Sequence, residues 1–424
     1  MNLNPVGWAS SSLRIVARLF NSGVNSTMPV TAISETPVGV ADADIALVAK
    51  GTGATLAQVP DGTAAGGNKR GTRATDWQKT RTAAAQIASG ASSGIVAGES
   101  NTASGQWTFV GGGVDNIASA VSSTVAGGFD NIASGQYSGV VAGYGARASS
   151  NYSFVGGGQS NTAQTNTHAT VCGGQGNTAS GGSAFVGSGN FNTASSTRAV
   201  VGGGQVNTAS NVYTSIIGGG SHTASGYASV ICGGFGNTAS GLNSFVGGGE
   251  NNTASGAYSF IGGGFYGTTR SIRGYHVFPA CETPITTVQG VTQSALLLLA
   301  RQTTSDATTV LTSNTSAAGT TNQVILPNNS AYSFSGEVIA GVTGAGNTAR
   351  WTINGAIKRG ANAASTTMVG TATVTMTHND AGAAAWVVAV TADTTNGGIK
   401  VEVTGAAATT IRWVCKINTT EMTF

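Results

Sequence analysis

Read for apolar and polar positions, the middle of the chain follows a fifteen-residue pattern that is neither an amphipathic helix nor a run of ordinary strands. A β-branched side chain recurs at Ile95, Val110, Val125, Val140, Val155, Val171, Val186, Val201, Ile216, Ile231, Val246 and Ile261. Three residues after each stands a glycine, from Gly98 to Gly264, with no copy missing. Seven residues after it comes a slot usually filled by threonine, and an alanine follows that slot from Ala88 to Ala254. The interval is 15 residues throughout, except for one of 16 between Thr162 and Thr178. A fixed period of this kind is the mark of a solenoid. Within a copy, alternation predicts two short strands, with the β-branched residue and its neighbours two away on one face. The unbroken glycine predicts a corner at positive φ. Two strands and two tight corners leave a thin interior that admits Val, Ile, Ala and Ser. About twelve coils over residues 87–268 would extend roughly 58 Å at the parallel strand spacing.

The positions between the inward ones carry Phe109, Phe154, Phe185, Phe245 and Phe260, which must point outward. An outer column of Phe, Val and Ile is a large apolar patch, and such patches mark protein interfaces, so lateral association of identical chains is expected. Asn101, Asn161, Asn177, Asn237 and Asn252, each just before the threonine slot, predict a stabilising amide ladder. The threonine column itself admits an ice-binding face. Arg147 and the isoleucines at 87, 117 and 132 interrupt it, which ranks that reading low.

Outside the repeat the pattern changes. Residues 1–60 show little periodicity and are punctuated by Pro29, Pro37 and Pro60; Thr75 with Gln78 fits a capping box opening a short helix, or a chance match in a threonine-rich stretch. From Tyr275 alternating runs appear at 371–376, 386–390 and 399–403, separated by Asn-Gly-Gly or Ala-Gly turns. About eight such strands predict an antiparallel sandwich or jelly roll.

Composition narrows the function classes. Only 8% of residues are charged and the formal charge is +3, with the cations scattered, so a nucleic-acid partner is not expected. The apolar stretch at 13–20 is broken by Arg14 and Arg18, and 295–300 is far shorter than the roughly 20 residues of a membrane span. A soluble chain without a Sec-type leader or membrane insertion is expected. Cysteines at 172, 232, 281 and 415 show no metal spacing, and neither do His168, His222, His276 and His378, so no metal or cofactor is expected. Cys172 and Cys232 share a slot four coils apart, too distant for a disulfide.

Asp115 and Asp130 fall in one slot on adjacent coils, about 4.8 Å apart at the strand spacing, near the separation of a retaining glycosidase's carboxylates. Aspartate is equally a favoured turn residue, and that reading is preferred. No catalytic residue is assigned. Trp351, Trp386 and Trp413 are the candidate receptor-binding residues, since an indole face packs against a sugar ring; the competing and favoured role is core packing.

The coil pattern Ser-x-Val-x-Gly-Gly followed by Asn-x-Ala-x-Gly resembles the left-handed parallel β-roll of trimeric autotransporter adhesin heads across 87–268. The flanks resemble bacteriophage tail fibres and tailspikes. They are Gly-Gly-Asn-Lys-Arg-Gly at 66–71 with Ala-Thr-Asp-Trp-Gln at 74–78, then Asn396-Gly397-Gly398 and the closing segments 411–414 and 420–424. The resemblance implies an all-β homotrimer in four parts. Residues 1–86 form a virion-attachment region docking to tail or baseplate proteins. Residues 87–268 form the β-solenoid and 269–274 a linker. Residues 275–424 form a β-sandwich that binds a host surface glycan or protein. It implies a structural, non-enzymatic virion fibre, made in the host cytoplasm, for host recognition. The alternatives are a tailspike that cleaves host surface polysaccharide and a secreted bacterial trimeric adhesin.

Overall fold

The computed structural model describes residues 53–279, 288–344 and 346–424. The apolar stretch at 13–20, Pro29, Pro37 and Cys281 lie outside the described residues. The fold is all-β, a parallel solenoid followed by antiparallel sheets, and the chain divides into two compact units, 1–133 and 134–424.

In the first unit, parallel pairing begins before the repeat. Thr55 pairs with Thr75, Thr75 with Gly94, Gly94 with Phe109 and Phe109 with Thr124. A second ladder joins Thr102, Ile117 and Ile132. A third, of single bridges, runs Thr80, Glu99, Val114, Phe129; the two-strand reading of the repeat had no place for it. Thr75–Asp76 is therefore a strand and not the start of a helix. Asp76 stands in the register position of Ile95, where an apolar residue would be expected. Its carboxylate is buried and accepts from Arg70 Nε at 2.8 Å and Arg81 Nη2 at 3.2 Å. Arg81 also donates to the carbonyls of Ala65, Gln78 and Gln86. This buried polar cluster lies at the start of the apolar column, and it is the physical content of the lead-in segment.

In the second unit ladders of the same kind run from Gly139–Val140 to His276–Phe278 and from Arg147–Ala148 to Thr253–Ala254. The slots behave as their chemistry requires. Val155, Val171, Val186, Val201, Ile216 and their counterparts are fully buried, as are the alanines from Ala148 to Ala254. The corner glycines hold φ near +90°, for example Gly174 at 91° and Gly204 at 93°. A Cβ on Gly174 would stand 2.1 Å from the Gly189 carbonyl oxygen of the next coil and 2.6 Å from Asn177 Nδ2. Glycine is thus required twice, by backbone conformation and by coil spacing.

The asparagines correct two expectations. They lie inside the solenoid, fully buried, so its interior is not restricted to Val, Ile, Ala and Ser. Nor do they chiefly pair amide to amide. Asn177 Oδ1 accepts from the backbone N–H of Asn192 on the next coil at 2.9 Å. Its Nδ2 donates to Gly173 of its own coil at 2.9 Å and to Gly189 of the next at 2.6 Å. Asn192, Asn207 and Asn237 repeat the arrangement, and one side-chain pair, Asn252 to Asn237, is added at 3.1 Å. In the first unit Gln78 opens the same column, accepting from the Asn101 N–H at 2.9 Å.

The C-terminal part of the second unit grows out of the last coil. His276–Phe278 pairs parallel with Phe260–Ile261 and antiparallel with Thr292–Thr303, which pairs in turn with Ile411–Thr423. Ser330–Val342, Thr348–Arg359 and Thr373–Asn379 complete this sheet. Gly398–Thr404 centres a second antiparallel sheet with Val387–Asp393 and the short strands Thr309–Val310 and Val324–Ile325. At the junction the buried Glu421 carboxylate accepts from Arg270, Tyr275, Gln293 at 2.7 Å and Thr419 at 2.8 Å. Burial, joined by the Glu421 charge, pushes the Tyr275 phenol well above its ordinary value.

Two outcomes are expected. Val155→Asp puts an unpaired charge into a column with no polar partner, costing more than about 4 kcal/mol; the far-UV melt should show loss of the folded form, and a fully folded product would contradict the register. The second concerns His222, which replaces asparagine in the buried column and accepts the Asn237 N–H on Nδ1 at 3.1 Å, leaving Nε2 buried without a formed hydrogen bond. Burial, partly offset by the Gly234 and Asn237 backbone, holds its pKa below the ordinary 6.5. The unfolded chain therefore takes the proton first. Stability from this site is complete above about pH 6.5 and falls as pH drops through the folded value. His222→Asn should raise the melting temperature at pH 7, where it restores the amide's two donor bonds, and raise it further at pH 5.

Candidate functional site

Asp115 and Asp130 occupy equivalent corners of adjacent coils, joined through the Val114–Phe129 bridge. Both are half-buried and both hold positive φ, 57° and 52°. The same slot holds Ser100 and Ser160 at positive φ, so the corner geometry itself favours residues that tolerate the left-handed region. Each N–H donates to the coil before, Asp115 to Glu99 and Asp130 to Val114, both at 3.1 Å.

The three tryptophans are brought together in the C-terminal sheets. Trp351 and Trp386 are 3% exposed and Trp413 is fully buried. Trp413 lies between the other two at ring distances of 5.7 and 5.8 Å, and its Nε1–H donates to Thr303 Oγ1 at 2.9 Å. The ring planes are tilted by 33° and 56°, and the three indoles pack on one another. Beside them, a groove of about 710 Å³ is lined by Leu298, Ala300, Arg301, Arg412, Trp413 and Val414. Sequence reading missed it, because it arises from the register of Thr292–Thr303 with Ile411–Thr423 rather than from any local motif. Among the other residues singled out, Cys172 is exposed, Cys232 half-buried, and burial pushes the Cys415 thiol up to about 12.

Two surface columns stand out in the second unit. The first is the outer face of the long ladder. Its outward residues are Gly139, Phe154, Thr170, Phe185, Val200, Ser215, Val230, Phe245 and Phe260. Two residues along, on the same face, stand Val141, Gly156, Cys172, Gly187, Gly202, Ile217, Cys232, Gly247 and Gly262. Every phenylalanine is matched with a glycine, and every Gly, Ser or Thr with Val, Ile or Cys. The phenylalanine ring lies along its own strand over that glycine: a Cβ on Gly247 would stand 3.3 Å from Phe245 Cε1, and one on Gly187 3.5 Å from Phe185 Cε1. Phe245 and Phe260 stack at 5.2 Å. In the first unit the pairs Gly94–Val96 and Phe109–Gly111 follow the same rule. Volume held even by paired large and small residues is a property of packed surfaces.

The second column was not legible in the repeat. Three residues before each buried β-branched residue the chain turns through positive φ, at Tyr137, Tyr152, His168, Ser183, Arg198, Tyr213, Ala228, Asn243 and Tyr258. Residue type at this slot varies, so no period announces it. Tyr137, Tyr152 and His168 form a continuous exposed stack, at 5.1 Å and 4.9 Å with planes 9° and 5° apart. Further along, Arg198 lies over Tyr213 at 5.3 Å and bonds its hydroxyl, and Tyr213 meets Tyr227 edge to face. Arg273 covers Tyr258 at 5.2 Å.

No family model matches the chain, and no curated protein matches it by sequence. Two solved structures to which it is similar are phage tailspikes. The tailspike protein of Acinetobacter phage vB_ApiP_P1 is 8% identical, with 88% of this chain and 80% of that one covered and a TM-score of 0.23. Tailspike protein gp49 of Acinetobacter baumannii bacteriophage Fri1, a capsular polysaccharide depolymerase, is 10% identical, with 83% and 71% covered and a TM-score of 0.19. The expectation of a non-enzymatic chain is corrected at this point, because gp49 of phage Fri1 is a capsular polysaccharide depolymerase.

Proposed function

We propose that the chain is a fibre or tailspike component of a phage particle that recognises the surface of the host cell. The observation that carries the reading is the evened apolar face of the coil stack. Val141 and Ile217 are 47% and 61% exposed on it, and the rings of Phe245 and Phe260 stack further along the same column. An apolar ladder of this length is costly in water, since each large apolar side chain left exposed forgoes about 1.5–3 kcal/mol of burial. Self-association into a homotrimer covers it, and a stiff multi-chain fibre is the product. In this reading the N-terminal region attaches to the tail or baseplate. The C-terminal sheets, with the groove at Leu298 and Val414, meet a host glycan or protein. Recognition has two modes, holding the surface and cutting it. The aspartates at 115 and 130 are the carboxylates that the cutting mode offers for test.

Purified protein incubated with host envelopes is to be assayed for binding and for released reducing sugar together. Binding is expected from the parent chain. Sugar release that disappears in Asp115→Asn or Asp130→Asn assigns the cutting mode to that corner, whereas binding without release assigns adhesion. Absence of both on the proper host would contradict host recognition.

A further inference from the structure

We infer that the exposed aromatic corner of the second unit is a binding ridge for an acidic polysaccharide. This rests on the host-recognition reading and names the ligand class. Four observations carry it. First, the fold does not ask for aromatics there. From Tyr152 to Tyr258 each residue at the slot donates its N–H to the preceding coil in the same way, Tyr152 to Gln136 at 2.8 Å and Ser183 to Thr167 at 3.0 Å alike. Ser183, Ala228 and Asn243 hold the corner without a ring. A large side chain in the left-handed region costs roughly 1–2 kcal/mol, and exposed rings recover little of it by burial.

Second, the rings are ordered. Tyr137, Tyr152 and His168 stack face on face, so their edges and the phenolic hydroxyls are what solvent meets. An aromatic edge carries the positive side of the ring quadrupole, and a phenol donates a hydrogen bond. Third, cations are held on the same corner: Arg198 over Tyr213, and Arg273 over Tyr258. Neither arginine has a carboxylate partner among the described residues. Fourth, acid is lacking. Between residues 134 and 274 the chain contains one carboxylate, Glu250, against four arginines. Glu250 belongs to the bridge column of Phe235 and Phe265, at a different corner. From Tyr137 to Tyr258 the ridge runs roughly 38 Å at the strand spacing, which suits an extended polymer better than a small molecule. Ring edges, phenol donors and unpaired guanidinium groups all favour a ligand bearing carboxylate or phosphate groups on its sugars.

The test uses the full chain on an array of purified bacterial surface polysaccharides, half acidic and half neutral. The variants are Tyr152→Ser, Tyr213→Ser and Arg198→Ser; serine already occupies this slot at position 183, so melting curves are expected to match the parent. Binding confined to acidic members, weakened at least tenfold in the variants and falling with added salt, is the expected result. Binding that persists undiminished in the variants, or that favours neutral members equally, overturns the ridge while leaving host recognition standing. Binding to no polysaccharide on the array, with host envelopes still bound, also overturns it; loss of both removes the host-recognition reading as well.

Discussion

The structure depends on a buried amide. An asparagine of the inner column, such as Asn177, spends its oxygen on the backbone N–H of the next coil and its nitrogen on two carbonyls, one in its own coil and one at the corner glycine of the next. The corner at the glycine exposes backbone groups that a strand ladder cannot reach, and unsatisfied they would cost about 1–3 kcal/mol each. The asparagine side chain completes them from inside. The glycine three residues earlier must then lack a Cβ, because the amide nitrogen and the next coil's carbonyl already occupy that space. Glycine and asparagine are thus two halves of one device, repeated from Asn101 to Asn252 in every coil except those of Ala146 and His222. The start of the first unit and the end of the second solve the same problem with other residues: Gln78 opens the column, and the Gly267 N–H closes it on Asn252 at 2.8 Å.

A scaffold of this kind separates structure from function along the chain. Inward slots are fixed by size and hydrogen bonding, so they read as a period. Outward slots are free to vary, and what they carry is chemistry for something outside the chain. The phenylalanine and glycine pairs of the long ladder even out a surface that wants covering, while Arg198 and Arg273 of the corner have no carboxylate partner among the described residues. The two columns lie on the same coils and ask for different occupants, another apolar surface for one and an anionic ligand for the other.

This division explains what could be read from sequence. The solenoid, its positive-φ glycines and its buried Val and Ala columns were legible because each copy repeats them. The antiparallel strands of the C-terminal part were legible from alternation at 371–376, 386–390 and 399–403, which the strands Thr373–Asn379, Val387–Asp393 and Gly398–Thr404 overlap. The asparagines were recognised as a column but given the wrong partners, since spacing does not tell whether an amide meets another amide or the backbone beside it. Thr75 and Gln78 matched a helix cap by spacing alone, whereas Asp76 between them, buried against two arginines, belongs to a strand. The aromatic corner escaped notice because its slot holds Tyr, His, Ser, Arg, Ala or Asn. Only the shared backbone conformation makes those residues one surface.

The central claim is that within each unit residues 15 apart in the repeat stand one strand spacing apart. Cys172 and Cys232 share an outward slot four coils apart in the second unit, so they offer a direct measure. With Cys281 and Cys415 replaced by serine, and labelled chains diluted into unlabelled ones, pulsed electron spin resonance reads the distance within one chain. The account predicts a single narrow distribution corresponding to a backbone separation of about 19 Å. A broad distribution, or one centred well beyond the reach of the label from that separation, would contradict it.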